Sequence, residues 1–154
     1  MRRRQWTVGA LLACVSGWSV AQSVGKPSGA VVQVWKDPNC GCCKDWVAHL
    51  ERNGFRTQVF ETGNRAVRRR LGMPEKLGSC HTALVDGYVI EGHVPAEELR
   101  RLLQSRPDAL GLSVPGMPVG APGMDGPEYG GRKDPYGVML VAKDGSATVY
   151  QHHP

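Results

Sequence analysis

Asn39-Cys40-Gly41-Cys42-Cys43-Lys44-Asp45-Trp46 puts three thiols into four residues, between a β-branched apolar run, Ala30 to Trp35, and an amphipathic run, Cys42 to Asn53. The first run reads as a buried strand and the second as a helix. Thiols at such a junction sit against the helix N-terminus, whose free N–H groups and dipole favour the thiolate over the thiol. That is the form that binds metal or attacks a disulfide. Helix phase then separates the sulfurs. Cys43, Trp46, Val47 and Leu50 follow the i, i+3, i+4, i+7 rule and share the buried face, so Cys43 points inward. Cys42 is rotated from it by about 100°. Cys40 precedes the first turn and is the most exposed.

Outward from this stretch, Asp37 and Asn39 are turn or cap residues and Asn53-Gly54 is a helix stop. Phe55 to Thr62 reads as a second strand. Asn64 to Leu71 reads as a short helix with Val67 and Leu71 inward and Arg65, Arg68, Arg69 and Arg70 on a solvated outer face. Thr82 to Val85 and Tyr88 to His93 flank Asp86-Gly87, a strong hairpin signal. Pro95 opens a helix that runs to about Ser105. The order is β-α-β-α-β-β-α, and with thiols after the first strand it predicts an α/β, thioredoxin-like core over 30–105. A generic α+β sandwich is the alternative. Trp35, Trp46 and Met139 are assigned to the core.

From Arg106 the character changes to a Gly/Pro/Met-rich C-terminal extension, 106–154. Pro115-Gly116-Met117 and Pro122-Gly123-Met124 repeat a triplet within a Gly/Pro-rich stretch, which predicts neither helix nor central strand but a surface wrap. Tyr136 to Ala142 and Ala147 to Gln151 read as a terminal hairpin.

The N-terminus bears Arg2, Arg3 and Arg4, an uncharged run from Trp6 to Val20 and a small-residue cleavage site at Ser19-Val20-Ala21. This predicts a signal peptide over 1–21, a linker over 22–29 and export to the periplasm, with no stable membrane span after cleavage. Lipidation of Cys14 is the second choice. Removing the leader's three arginines from 19 basic residues leaves 16 against 14 acidic, so the formal charge falls from +5 to +2. The basicity belongs largely to the leader, and a nucleic-acid partner is excluded on this ground. The four cysteines that remain, exported to an oxidising compartment, must be disulfides, metal ligands or redox-active.

Cys40 and Cys43 have the Cys-x-x-Cys spacing of a nucleophile and its resolving partner. Cys42 spoils that simple version, because a third thiol scrambles disulfides. Clustered thiolates suit a soft ion, with Cu(I) first and Zn(II) second, since zinc sites of four thiolates usually pair two Cys-x-x-Cys units. In a thioredoxin-like core the loop entering the third strand approaches the first cysteine motif, so Cys80 faces the cluster. His81 is an auxiliary ligand or orienting group, although strand alternation would aim it away from Cys80. Met117 and Met124 read equally as soft thioether ligands or as plugs for a surface groove. His93 reads as a hydrogen-bonded residue, His49 as surface, and His152 and His153 as an untethered end.

Asp37 to Trp46, Ser79-Cys-His-Thr-Ala83, Gly87 to Ala96, Gly111 to Pro118 and Pro122-Gly-Met124, taken in order, resemble an exported bacterial family of formerly unknown function, the CopG-like copper-resistance proteins. The resemblance spans roughly Val31 to Met124. It implies a thioredoxin-like fold and copper held by Cys40, Cys42, Cys43 and Cys80. The resulting expectation is an exported copper-homeostasis protein that binds Cu(I) through these thiolates, coupled to thiol or copper redox, with other periplasmic copper-handling proteins as partners. A periplasmic thiol–disulfide oxidoreductase using Cys40 and Cys43 is the second reading. A zinc- or disulfide-stapled module that binds a partner is the third.

Overall fold

The computed structural model describes residues 29–154. The expected leader with Cys14, and all but the last residue of the expected linker, lie outside the described residues. The elements are β1 (Val31–Lys36), α1 (Gly41–Arg52), β2 (Arg56–Phe60), α2 (Arg65–Arg70), β3 (His81–Val85), β4 (Tyr88–Glu91), α3 (Ala96–Ser105), β5 (Gly111–Ser113), β6 (Tyr136–Val141) and β7 (Ala147–His153). They form a mixed α/β fold on one seven-stranded sheet, in the order β2-β1-β3-β4-β5-β6-β7.

Connections explain the order. β1 and β2 are parallel, with α1 as the crossover between them, while β3 pairs antiparallel with β1 on its other side. Asp86 and Gly87 take φ of 47° and 86°, the two positive values that a two-residue hairpin turn demands, and join β3 to β4. α3 then carries the chain across to β5, parallel to β4.

Strand alternation sorts the core into two faces. Val32, Val34, Ala83, Val85 and Ile90 meet Trp46 and Leu50 of α1 and Leu99 and Leu102 of α3. Leu84 and Val89, of opposite phase, meet Met73 and Leu77 from the segment after α2.

Three expectations are corrected. The Gly/Pro-rich extension does supply an internal strand: β5 pairs with both β4 and β6. Its residues Gly111-Leu112-Ser113 precede Pro115, so no ladder donor is lost. Trp35 and Met139 are half-buried rather than core, because β1 buries the phase of Val32 and Val34; Trp35 stacks on Phe60 at 5.1 Å. Arg68 is not on the solvated face of α2 but turns inward, 3.6 Å from the Glu91 carboxylate. Asp37 and Asn39 form the expected turn, in which the Asp37 carboxylate accepts from the Asn39 N–H at 2.9 Å, and the residue at the helix cap is Cys40.

Two packing constraints hold the loops. Glu91 is fully buried and accepts hydrogen bonds from the Ser79 N–H at 2.7 Å and the Thr82 hydroxyl at 2.6 Å, which fixes the turn before β3. The extension crosses the first turn of α1 at Gly123, with φ of 85°; a Cβ there would lie 2.6 Å from the Cys42 carbonyl oxygen and 2.7 Å from the Trp46 nitrogen.

Gly123→Ala is therefore expected to destabilise the fold by on the order of 2 kcal/mol, combining left-handed strain with a backbone clash. Thermal unfolding measures this, and an unchanged midpoint would mean that the extension does not press on α1. Burial raises the Glu91 carboxyl to about 7, against the Thr82, Ser79 and Arg68 contacts that pull it down. Its folded value lies above that of the unfolded chain, about 4.3, so the folded state holds the proton more tightly. The stability this contributes is full at low pH and is lost as pH rises through the folded value. Glu91→Gln is expected to remove that fall, seen as a flatter stability profile between those two values in denaturant titrations. A profile identical to the wild type would exclude the titration.

Candidate metal and thiol centre

The first turn of α1, the turn before β3 and the end of β4 converge on one point. Cys42 and Cys43 come from the first turn of α1, Cys40 from the cap before it, and Cys80 from the turn that Glu91 holds. Their four sulfurs all lie within 4.8 Å of one another. Cys43 is fully buried, whereas Cys40, Cys42 and Cys80 are half-buried. Cys40 and Cys43 are joined by a disulfide, and Cys42 and Cys80 are free. The Cys42 sulfur lies 3.6 Å from that of Cys40 and 3.9 Å from that of Cys80. Burial pushes the Cys80 thiol up to about 12, with the neighbouring Cys42 adding to the rise. Both causes act against a lone thiolate. A cation among the sulfurs would reverse them by supplying the missing charge.

Histidines complete the inner wall. His81 is fully buried, its ring 4.3 Å from Trp46 and 5.0 Å from His93. Its Nδ1 stands 3.3 Å from the Cys80 sulfur, so it faces Cys80 rather than pointing away. Alternation does not apply, because Cys80 lies before β3 begins. His81 Nε2 is buried without a hydrogen-bond partner. Burial, then His93 and Lys36, hold the imidazole well below its ordinary range, so it is neutral.

His93 makes the hydrogen bond expected of it. It is also a neighbour of the cluster, with Nε2 3.1 Å from the Cys80 sulfur. Its Nδ1 lies 2.8 Å from the Pro122 carbonyl oxygen, which can only accept, so the proton sits on Nδ1 and Nε2 presents its lone pair to Cys80. Burial lowers its pKa and keeps that lone pair free. The signal was in the sequence: counting outward from the two-residue Asp86-Gly87 turn places His93 opposite Cys80. The donor atoms of Cys80, His81 and His93 also lie mutually within 4.8 Å.

The methionines part company. Met124 is buried, and its sulfur accepts a hydrogen bond from the Tyr129 hydroxyl at 3.3 Å. Met117 is 53% exposed. It lines an open groove of about 460 Å³ together with Cys40, Cys80, Arg65 and Arg68. His49 is not a free surface residue: its Nε2 accepts from the Ala96 N–H at 3.1 Å, satisfying the start of α3. His153 is tethered, with Nε2 3.0 Å from Glu98 and its ring stacked on Tyr136.

The donor set is four sulfurs, two buried imidazoles and an exposed thioether at the rim. Such soft donors fit a thiophilic ion; among the described residues, neither group of metal-capable side chains contains a carboxylate. The same sulfurs are close enough for thiol–disulfide chemistry.

A family profile described as "Protein of unknown function, DUF411" matches residues 77–124. No curated protein matches the chain at a significant level. Two solved structures do. One, "Copper resistance protein copG- Form 2", is 47% identical, with 81% of this chain and 98% of that one covered and a TM-score of 0.74. The other, Form 1 of the same protein, is 46% identical, with coverage of 80% and 97% and a TM-score of 0.74. The aligned region takes in nearly the whole of each solved chain. On that identity and coverage, this chain belongs to the family of CopG-like copper-resistance proteins.

Proposed function

We propose that this protein handles copper as an exported copper-homeostasis protein, taking Cu(I) as its cargo on Cys40, Cys42, Cys43 and Cys80. The observation that carries this is the mutual proximity of the four sulfurs. Thiolates favour Cu(I), and no second Cys-x-x-Cys unit is present to build a closed zinc site. The copper-resistance name of the matching structures supports the same ion.

In this reading His93 offers a nitrogen donor whose tautomer is already set, and His81 a second. Met117 stands at the groove through which an ion would reach Cys40 and Cys80, as a soft entry ligand. Met124 is the weaker auxiliary, because its sulfur already accepts from Tyr129. The Cys40–Cys43 disulfide must take up two electrons and two protons before those sulfurs can bind, so loading is tied to thiol redox. The thioredoxin-like assignment for 30–105 is supported by the β-α-β-α-β-β-α order and by a Cys-x-x-Cys pair at the start of α1. Location in the periplasm is carried by the leader composition alone. Partners are other periplasmic copper-handling proteins that deliver or remove the ion.

A thiol–disulfide oxidoreductase is the second reading, favoured by the Cys40–Cys43 disulfide at the N-terminus of a helix.

Titrating the reduced mature protein with Cu(I) is expected to raise a thiolate-to-copper charge-transfer band. Cys42→Ala and Cys80→Ala should each weaken binding in competition with a Cu(I) chelator. His93→Ala should cost about 10–100-fold, the usual effect of losing a group that orients or supplements metal ligands. Absence of the band in the wild type would sink the copper reading. Insulin-reduction activity that survives Cys42→Ala and disappears in Cys40→Ala would put the oxidoreductase in its place.

A further inference from the structure

The four sulfurs are not equivalent. Cys40 is bonded to Cys43, and Cys42 touches both that disulfide, at 3.6 Å from the Cys40 sulfur, and Cys80, at 3.9 Å. The Cys43 sulfur instead faces the Cys80 backbone carbonyl at 3.7 Å. Cys42 thus contacts both Cys80 and the disulfide, within a cluster whose four sulfurs all lie within 4.8 Å of one another. Both gaps are van der Waals contacts between sulfurs, the approach from which thiol–disulfide exchange starts. We infer that Cys42 relays a disulfide between an outer position, Cys40–Cys43, and an inner one, Cys42–Cys80.

The relay has two exchanges. The Cys42 thiolate attacks the Cys40 sulfur, so the Cys42–Cys40 bond forms, the Cys40–Cys43 bond breaks and the electron pair leaves on Cys43. The Cys80 thiolate then attacks the Cys42 sulfur; the Cys80–Cys42 bond forms, the Cys42–Cys40 bond breaks and the pair leaves on Cys40. Protons given up by Cys42 and Cys80 are taken up by Cys43 and Cys40. One disulfide is present throughout, and no external oxidant or reductant is consumed.

Local chemistry supports each end. Cys43 leaves at the first turn of α1, where the helix N-terminus stabilises a thiolate. At the other end the His93 Nε2 lone pair lies 3.1 Å from the Cys80 sulfur, positioned to accept its proton. The outer isomer keeps Cys80 and both imidazoles free inside. The inner isomer frees Cys40, which lines the open groove, for exchange with a thiol or disulfide of another protein. Of the three pairings open to four cysteines, the structure selects Cys40–Cys43 with Cys42–Cys80 for the fully oxidised state.

The test uses the metal-free mature chain and does not depend on copper binding. Fully reduced protein receives one equivalent of diamide under anaerobic conditions. Samples are acid-quenched over time, free thiols are alkylated and the peptides are mapped by mass spectrometry. The inner disulfide cross-links the Cys80 peptide to the Cys40–Cys43 peptide, whereas the outer one does not. The expected result is an early Cys40–Cys43 disulfide, followed by a growing Cys80 cross-link at a constant two free thiols per chain. Cys42→Ser should lose the cross-link and keep the outer disulfide, which also reports that the variant is folded at the site. Cys80→Ser should accumulate Cys40–Cys42. A wild-type time course without the cross-link overturns the relay, as does a cross-link that forms only with loss of both remaining thiols or that persists in Cys42→Ser.

Discussion

Trp46 donates its indole N–H to the Val94 carbonyl at 2.8 Å from a fully buried position, and this bond ties the thiol-bearing turn of α1 to the segment that carries His93. A buried indole N–H without an acceptor would cost on the order of 1–3 kcal/mol, so the bond sets the rotation of α1 as well as its depth. With that rotation fixed, Cys43 faces the core, one helical turn before Trp46. The indole ring also packs on His81, so one side chain contacts one imidazole and the backbone next to the other.

Around this anchor the centre is closed by parts that have little stability of their own. The turn carrying Ser79 and Cys80 has no regular pairing and is held by the buried carboxylate of Glu91. Arg68 stands beside that carboxylate, and its guanidinium passes so close to Gly78 that a Cβ there would displace it. The extension adds the third side through Gly123 against α1 and through the Pro122 carbonyl against His93. Each contact removes a degree of freedom from a sulfur or an imidazole that must act at fixed distance.

This arrangement reconciles a metal site with a disulfide. Sulfurs near enough to share an ion are also near enough to bond, so the same geometry serves both chemistries, and the redox state of the cysteines selects between them. The half-buried position of Cys40 and Cys80 along an open groove keeps that choice accessible to solvent and to other molecules. The fully buried Cys43, His81 and His93 remain sheltered from both.

Local signals determined much of this protein. Helix phase gave the inward Cys43, the Asp86-Gly87 pair gave the hairpin, and the strand-to-helix junction gave the site of thiol chemistry, because each depends on residues within a few positions of one another. The same turn carried the His93 register, a cross-strand relation that composition around His93 alone does not reveal. Tertiary structure decided the rest. Arg68 looks like one more cation on a basic helix until Glu91 lies beneath it, and His49 looks free until the start of α3 arrives to use its lone pair. β5 is three residues long, too short for any periodicity, and becomes a strand because β4 and β6 offer ladders on both sides. Which sulfur touches which was likewise beyond local reading, since the separation of Cys42 and Cys80 is fixed by the packing of a helix, a turn and an extension that meet only in the folded chain.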